Sequence, residues 1–360
     1  MNENKRIIKL KDRMKDYADY ALISPGSNLY YLTGLDPIGT MERLFFLIVP
    51  LDSSSFILAP KLYENELKDT SMELKIWDDN DDPYLLLKKE LDVNNETVLA
   101  VEDSLPVGIF LQLKKIFVSR EFKSINPILS DLRIIKDDSE LEFIQRSATI
   151  ADNVFIETLK HKLFGMSEIE IAELITELIK EKGGEGVSFD PIVASGPNGA
   201  NPHHMPTTKK IEKGELVVLD FGARYRHYSS DITRTIGIEN LDKASKEVYD
   251  TVLGAQENAF QKVRRGISAR DIDFEARIYI ESKNFGRYFT HRTGHGLGLD
   301  VHELPYISST SYTSLQDNMV FTIEPGIYIP GKFGVRIEDD VCINQKGKRL
   351  TQARRDLIVI

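Results

Sequence analysis

Residues 215–238 read ELVVLDFGARYRHYSSDITRTIGI, and this stretch decides the fold. It contains two apolar runs typical of buried β-strands; Asp220 closes the first run and Asp231 opens the second. Removing an unpaired carboxylate from water costs several kcal/mol, so acids are seldom placed in buried strands. The stretch therefore predicts a cation that meets both aspartates.

The same arrangement recurs later in the chain. The runs NMVFTIEPGIYI and FGVRIEDDVCI carry Glu324 and Glu338, which we expect inside two further strands. Asp220 and Glu324 are 104 residues apart, and Asp231 and Glu338 are 107 residues apart. Each half of this repeat therefore offers one pair of acids from equivalent strands.

A helix start repeats with a similar displacement. Gly165-Met166-Ser167 matches Gly266-Ile267-Ser268, 101 residues further on, and each serine can cap a helix. Glu170 and Asp271, three residues after these serines, complete or approximate a capping box. Two helices followed by two strands, twice, predict a domain of two similar halves related by a pseudo-twofold axis. The alternative is a chance coincidence of two common helix starts.

The domain organisation follows from a change of pattern along the chain. The first third alternates short β-rich runs with helix-like stretches, among them residues 83–91 and 107–117, and this rhythm predicts a small α/β domain. A charged hinge at residues 132–141 then leads into an amphipathic helix. We therefore predict two domains, residues 1–133 and residues 134–360.

The composition excludes several classes of function. Of 360 residues, 41% are hydrophobic, and the single cysteine, Cys342, is interpreted as a buried structural thiol. Residues 1–20 are charged throughout, so we expect neither export nor a membrane span and predict a cytoplasmic protein. A net charge of −10 without a basic stripe argues against nucleic acid and favours small or peptidic ligands.

The four acids predict a metal centre. His295, in the glycine-rich run HRTGHGLG, supplies a fifth ligand, and this oxygen-rich set suits Mn²⁺, Co²⁺ or Fe²⁺. Two divalent ions would balance four carboxylates, share a water and activate it for hydrolysis. The alternative is a buried ion-pair network with Arg234 and Arg336, which lie in the same strands.

Histidines near the acids have two interpretations. His203 and His302 could reach a substrate oxygen, stabilise a tetrahedral intermediate or carry a proton to the leaving nitrogen. A lone histidine is more often structural, and we interpret His204 and His291 in this way.

The segments LDFGARYRHYSSDITRT, HRTGHGLGLDVHELP, FTIEPGIYIP and VRIEDD, in this order, make the chain similar to the creatinase/prolidase group of pita-bread metallopeptidases. The resemblance covers the whole chain. It implies an α/β (α+β) fold class: an N-terminal creatinase-like α/β domain, followed by a pita-bread catalytic domain with an internal pseudo-twofold.

The resemblance also implies a role for each of the five ligands. Asp220 would bind one metal, His295 and Glu324 would hold the second, and Asp231 and Glu338 would bridge the two. Glu324 would also be the proton shuttle. All five positions carry the expected residue type.

Five further residues are implied to lie beside substrate or ligands. His203 and His302 would contact substrate, and Arg336 would orient one bridging carboxylate. His291 and Tyr306, like Arg336, are expected to contact the substrate or the metal ligands without binding metal themselves. Prolidases often have an arginine just after the His-Glu-x-Pro segment, where it can hold the free carboxylate of a dipeptide, and Tyr306 stands at that position here.

The resemblance points to the proline-specific branch of the group, because methionine aminopeptidases usually lack an N-terminal domain of this size. Within that branch the expected activity is that of an Xaa-Pro dipeptidase (prolidase). The alternative is an Xaa-Pro aminopeptidase acting on longer peptides, and a remote alternative is a non-catalytic peptide-binding module. The resemblance implies two divalent ions per subunit, Mn²⁺ or Co²⁺ first and Fe²⁺ or Zn²⁺ next. It further implies small peptides with proline at the second position as substrates, and a homodimer.

Overall fold

The computed structural model describes residues 4–36 and 42–360. The chain divides into two units, Met1–Arg133 and Ile134–Ile360. Across the described ranges, no helix is both long enough and apolar enough to cross a membrane.

The N-terminal unit is built on one mixed sheet. Its strands are β1 (Tyr20–Ile23), β2 (Phe46–Pro50), β3 (Phe56–Pro60), β4 (Glu73–Trp77), β5 (Val98–Val101) and β6 (Glu121–Ser124). They lie in the order β4-β3-β2-β1-β5-β6, with β1 antiparallel to β2 and parallel to β5. β2 and β3 are buried at every position, as their continuous apolar sequences require.

Among the described residues of this unit, six α-helices accompany the sheet: α1 (Lys5–Met14), α2 (Ser27–Thr33), α3 (Glu64–Leu67), α4 (Pro83–Glu90), α5 (Val107–Ile116) and α6 (Asn126–Arg133). α4 and α5 confirm the two helices predicted for this region. The side chain of Asp82 caps α4 by accepting hydrogen bonds from the backbone N–H of Tyr84 and Leu85. The sequence pattern missed α1, whose buried face is limited to three apolar residues within a charged segment.

The C-terminal unit contains four long helices: α7 (Asp138–Thr158), α8 (Glu168–Glu181), α9 (Lys243–Lys262) and α10 (Ala269–Ser282). α7 confirms the helix predicted after the hinge, and a capping box of Asp137 and Glu140 begins it. α7 packs against α8, and α9 packs against α10. Each pair covers its own hydrophobic core, so the two halves are similar in architecture.

Thirteen strands complete this unit: β7 (Gly186–Val187), β8 (Ile192–Ser195), β9 (Leu216–Phe221), β10 (Ala223–Tyr225), β11 (Tyr228–Ser229), β12 (Ile232–Gly237), β13 (Gly294–Gly296), β14 (Glu303–Ile307), β15 (Val320–Ile323), β16 (Gly326–Ile329), β17 (Phe333–Arg336), β18 (Asp339–Asn344) and β19 (Lys346–Arg349). The first half forms the sheets β12-β9-β8 and β11-β10-β7. The second half forms β14-β13-β15-β18-β19 and the pair β16-β17.

The repeat is visible in the backbone at the two helix starts. Gly165 and Gly266 both have φ of +83°, a left-handed conformation that favours glycine. The N–H of Gly165 donates to Ile211 O at 3.1 Å, and that of Gly266 donates to Leu315 O at 2.7 Å. These acceptors are 104 residues apart, which matches the spacing of the repeat.

The two caps differ in detail. Ser167 and Glu170 form a full capping box at α8. Ser268 precedes α10 without a side-chain cap, and its hydroxyl donates to Ser311 O at 3.3 Å instead. The second start keeps the turn and has lost the reciprocal hydrogen bonds.

Candidate metal centre

A cavity of about 470 Å³ in the C-terminal unit collects residues from both repeated halves. It is lined by Phe189, Ile192, Pro202, His203, Asp220, Asp231, His291, Arg292, His295, Val301, His302, Glu324, Arg336 and Glu338. Nine of the ten residues singled out from the sequence are therefore brought together. The tenth, Tyr306, lies outside the lining.

The four acids enter the cavity from strand ends. Asp220 lies in β9, and Asp231 directly precedes β12. Glu324 follows β15 and Glu338 lies between β17 and β18, so the expectation that both would sit inside strands was wrong. The backbone around Glu338 nevertheless stays tied to the neighbouring half, because its N–H donates to Thr233 O at 3.1 Å.

His295 is the middle residue of β13 and is buried. Its Nδ1 lies 3.1 Å from Gly296 O, so we assign the proton to Nδ1 and a free lone pair to Nε2. Nε2 lies 3.6 Å from Asp231 Oδ2 and 3.4 Å from Glu324 Oε1. Burial lowers the pKa of His295 to about 3. The neutral ring therefore faces the acids without neutralising them.

Several buried oxygens at this centre lack a donor. Among the residues described, none donates a hydrogen bond to Oδ1 of Asp220, Oδ1 of Asp231 or Oε1 of Glu338. One ligand atom from each of Asp231, His295 and Glu338 lies within 4.8 Å of the others. Converging buried acceptors are unfavourable unless a cation lies between them. The residues present therefore fit divalent metal ions, and the oxygen-rich set is unlike thiolate sites for structural zinc.

The pKa values of the acids reflect the same imbalance. Burial, reinforced by the charges of Glu338 and Asp220, raises the pKa of Asp231 well above its ordinary value. Burial, with Glu324 and Asp220, raises the pKa of Glu338 in the same way. Burial also raises the pKa of Glu324 to about 7. Bound cations would reverse these shifts by favouring the carboxylate forms.

Arg336 is the cation that forms an ion pair at this centre, and its partner is Asp220. Its Nε also donates to Thr233 Oγ1 at 3.1 Å, and that hydroxyl donates to Glu338 Oε2 at 2.6 Å. Arg336 therefore acts on Glu338 through Thr233. The other candidate of the ion-pair alternative, Arg234, pairs with a carboxylate outside the cavity.

A hydrogen-bonded chain fixes His291 at the cavity wall. Nη1 of Arg336 donates to the Tyr328 hydroxyl at 2.8 Å, and this hydroxyl lies 2.8 Å from His291 Nε2. His291 Nδ1 lies 2.7 Å from Arg292 O, so Nδ1 is assigned as donor and Nε2 as acceptor. Burial lowers the pKa of His291 to about 4. The sequence did not single out Tyr328, because its apolar strand context gives no signal.

Two further histidines, His203 and His302, line the cavity beside the acids. The rings of His302 and His295 pack edge to face with centroids 4.3 Å apart. Burial, aided by the charge of Arg292, lowers the pKa of His302. His203 approaches from the segment between β8 and β9, and its ring is exposed to the cavity.

Arg292 is a site residue that the sequence analysis missed, although it lies in the quoted run HRTGHGLG. It lines the cavity, and its guanidinium carbon lies 4.3 Å from the ring centroid of Tyr306. Within residues 4–36 and 42–360, this guanidinium has no hydrogen bond or ion pair. Tyr306 therefore supports a free positive charge at the cavity. The sequence signal that could have pointed to Arg292 was the tyrosine at position 306, where prolidases often have an arginine.

An acid-rich metal centre on an open cavity, with histidines facing it, defines the class of metal-dependent hydrolases. Residues 142–345 match the metallopeptidase family M24, and residues 6–135 match the creatinase/prolidase N-terminal domain. The chain belongs to metallopeptidase family M24. The resemblance and the fold class predicted from the sequence are thereby confirmed.

Relatives of known name span the whole chain. The chain is 38% identical to the Xaa-Pro dipeptidase of Pyrococcus horikoshii, covering 99% of each sequence. It is 38% identical to the Xaa-Pro dipeptidase of Pyrococcus furiosus, covering 98% of each. The crystal structure of recombinant prolidase from Thermococcus sibiricus has a TM-score of 0.96, with 48% identity over 100% of both chains.

Proposed function

We propose that this chain is a metal-dependent Xaa-Pro dipeptidase. The observation that carries the proposal is a group of buried carboxylates in which Asp220, Asp231 and Glu338 each have an oxygen with no described donor. The same cavity is lined by Arg292, whose guanidinium has no described ion pair. Its similarity to proteins named Xaa-Pro dipeptidase and prolidase supports the same activity.

We further propose that Asp220, Asp231, His295, Glu324 and Glu338 hold two divalent ions, Mn²⁺ or Co²⁺ first and Fe²⁺ or Zn²⁺ next. When bound, such ions supply a hydroxide nucleophile near neutral pH and polarise the scissile carbonyl. The homodimer and the cytoplasmic location remain predictions from the sequence.

The remaining residues bind and orient the peptide. His302 is held in the neutral form by its lowered pKa, so it can donate one N–H to the developing oxyanion. His203 approaches the same cavity from the other half and can donate to the substrate or pass a proton to the leaving nitrogen. Glu324 remains the proposed proton carrier among the ligands.

Arg292 supports dipeptides as the substrates. A guanidinium without a carboxylate partner, braced on Tyr306, suits the free carboxylate of a C-terminal proline. An arginine at position 292 would thus supply the positive charge that position 306 lacks. In an aminopeptidase that acts on longer peptides, the chain continues past this point, so the same charge would have no fixed partner.

The activity is tested with purified protein, Mn²⁺ or Co²⁺, and the peptides Ala-Pro, Leu-Pro and Ala-Pro-Ala, by measuring the released amino acid. Release from the dipeptides alone supports the proposal. Release from Ala-Pro-Ala as well would favour the aminopeptidase. Metal binding with no release from any peptide would favour a peptide-binding module.

The role of Arg292 is tested by comparing Ala-Pro with Ala-Pro amide, which lacks the carboxylate. Because one charge-assisted contact is lost, Arg292→Gln should raise KM for Ala-Pro about tenfold to a hundredfold and leave the amide unchanged. Arg287→Gln is the matched control, since this exposed arginine also stacks on a tyrosine, Tyr288, away from the cavity. Equal losses on both substrates would contradict carboxylate recognition.

A further inference from the structure

Glu168 is a buried carboxylate that neither lines the cavity nor caps its own helix. It is the first residue of α8, and its side chain is fully buried. The cap of α8 is the reciprocal pair of Ser167 and Glu170. The charge of Glu168 therefore needs another explanation, because buried carboxylates are kept only where donors meet them.

Oε1 of Glu168 binds the beginning of the segment that follows β8. The backbone N–H and the hydroxyl of Ser195 both donate to it at 2.8 Å. Asn198 Nδ2 donates to the same oxygen at 3.0 Å. One carboxylate oxygen thus fixes the chain where it leaves the sheet.

Oε2 binds the other end of the same segment. The backbone N–H of Thr207 donates at 3.0 Å and its hydroxyl at 2.7 Å. His204 Nε2 lies 2.8 Å from this oxygen. A single side chain therefore ties together both ends of residues 195–207.

The carboxylate is charged in the working range of pH. Burial alone would raise the pKa of Glu168. The hydrogen bonds from His204, Thr207, Asn198 and Ser195 outweigh burial and lower this pKa to about 2. Hydrogen bonds to a charged acceptor are the stronger ones, so this contact set is rigid.

His203 lies inside the tied segment and depends on its backbone for position. Its N–H donates to Asn201 Oδ1 at 3.1 Å. Among the residues that the structure describes, none forms a hydrogen bond with the His203 ring. The location of this imidazole at the cavity is therefore set by the segment and not by hydrogen bonds of its own ring.

We infer that Glu168 is a positioning residue: it closes residues 195–207 into a fixed loop and thereby holds the imidazole of His203 against the metal centre. The inference rests on the proposed function of His203 and extends it to a residue outside the cavity. A displacement of such a group by about 1 Å can cost up to roughly a hundredfold in rate.

The first test measures the loop directly by amide hydrogen exchange in Glu168→Gln. Glutamine keeps the volume but brings two N–H donors to a place where donors already converge, so the amides of Ser195 and Thr207 should exchange faster. Glu173→Gln, an exposed change on the same helix, is the matched control and should leave both amides unchanged. Unchanged exchange in Glu168→Gln would overturn the inference.

The second test is a double-mutant cycle for kcat on Ala-Pro with metal content measured in every variant. Glu168→Gln should lower kcat roughly tenfold to a hundredfold with unchanged metal content. In a His203→Ala background the same change should cost less than about threefold, because the imidazole it positions is gone. A general structural role would give equal losses in both backgrounds, and that result would overturn the inference.

A milder variant guards against misfolding. Thr207→Val removes one donor to Glu168 and should give a smaller loss that also disappears in the His203→Ala background. If His203→Ala keeps full activity, the positioning role is overturned. If the wild-type chain cleaves none of the peptides, the proposed activity fails while the exchange measurement still decides whether Glu168 closes the loop.

Discussion

Glu338 and Asp339 are neighbours in the chain and both are buried, yet the protein treats their charges in opposite ways. Asp339 is met by three guanidinium groups, those of Arg234 at 2.6 Å, Arg349 at 3.0 Å and Arg355 at 3.3 Å. Although burial acts to raise it, the charges of Arg234 and Arg355 hold the pKa of Asp339 below its ordinary value. Asp339 is a fully compensated structural acid.

Glu338 belongs to a group with the opposite balance. Its Oε2 accepts from the Thr233 hydroxyl, its Oε1 has no described donor, and its pKa is raised well above the ordinary value by burial and by Glu324 and Asp220. Arg336 pairs with Asp220, and no lysine or arginine among the described residues forms an ion pair with Asp231, Glu324 or Glu338.

The difference bears on the ion-pair alternative raised from the sequence. That alternative needed Arg234 and Arg336 to neutralise the four acids. Arg234 pairs with Asp339 instead. Of the two guanidinium groups at the cavity, Arg336 pairs with Asp220, and Arg292 forms no ion pair with a described carboxylate. Arginines compensate the buried charge of Asp339, which is a structural acid. The missing compensation one residue away therefore indicates that the cations at the cavity come from outside the chain.

The largest expected effect follows from removing one uncompensated acid. Asp231→Asn should lower kcat/KM on Ala-Pro by at least roughly a thousandfold and lower metal content with it. The reason is that the change removes a proposed ligand of the metal ions that stabilise the charge of the transition state. The same change should raise the unfolding temperature of the metal-free protein, since it removes a buried charge that repels Glu338 and Asp220. Asp250→Asn, on the exposed face of α9, is the control. Full activity in Asp231→Asn would contradict the conclusion that the acids of the cavity, unlike Asp339, need cations from outside the chain.

The compensated acid should respond in the reverse sense. Asp339→Asn leaves three arginines facing a neutral amide, so we expect the free energy of unfolding to fall by about 3–5 kcal/mol. Urea denaturation measures this loss. The control is Asp356→Asn, which breaks the exposed pair with Arg354 and should cost less than about 1 kcal/mol. If Asp339→Asn lowers the free energy of unfolding no more than Asp356→Asn does, the buried ion pairs of Asp339 contribute no more to stability than the exposed pair of Asp356.

The sequence was sufficient to single out the four acids and the histidine that meet at the cavity, because each stands at the edge of an apolar run or beside glycines, where an acid or a histidine is conspicuous. It was also sufficient for α4, α5 and α7, whose periodicity and caps are local. It could not separate Glu338 from Asp339 in the run EDD, because Thr233 and Arg234, which meet Glu338 and Asp339 respectively, come from a segment about a hundred residues away.

Residues that act through contacts between distant segments were missed for the same reason. Glu168 looks like an ordinary first-turn acid of an amphipathic helix, and its partners are 27 to 39 residues further on. Tyr328 looks like a core aromatic, and Arg292 looks like a loop charge. Their roles depend on which side chains meet in space, which periodicity does not encode.

Glu168 differs from both Glu338 and Asp339, because this buried acid is stabilised largely by hydrogen bonds from neutral groups. Its folded pKa of about 2 lies below the unfolded value of 4.5, so its stabilisation is present above pH 4.5 and is lost as the pH falls towards 2. Glutamine resembles the protonated acid. The difference in free energy of unfolding between wild type and Glu168→Gln should therefore be up to roughly 3 kcal/mol at pH 7 and shrink towards zero near pH 2. Urea denaturation at several pH values measures it, with Glu173→Gln expected to show no such trend. A difference that is independent of pH would mean that the shape of the side chain, and not its charge, holds residues 195–207.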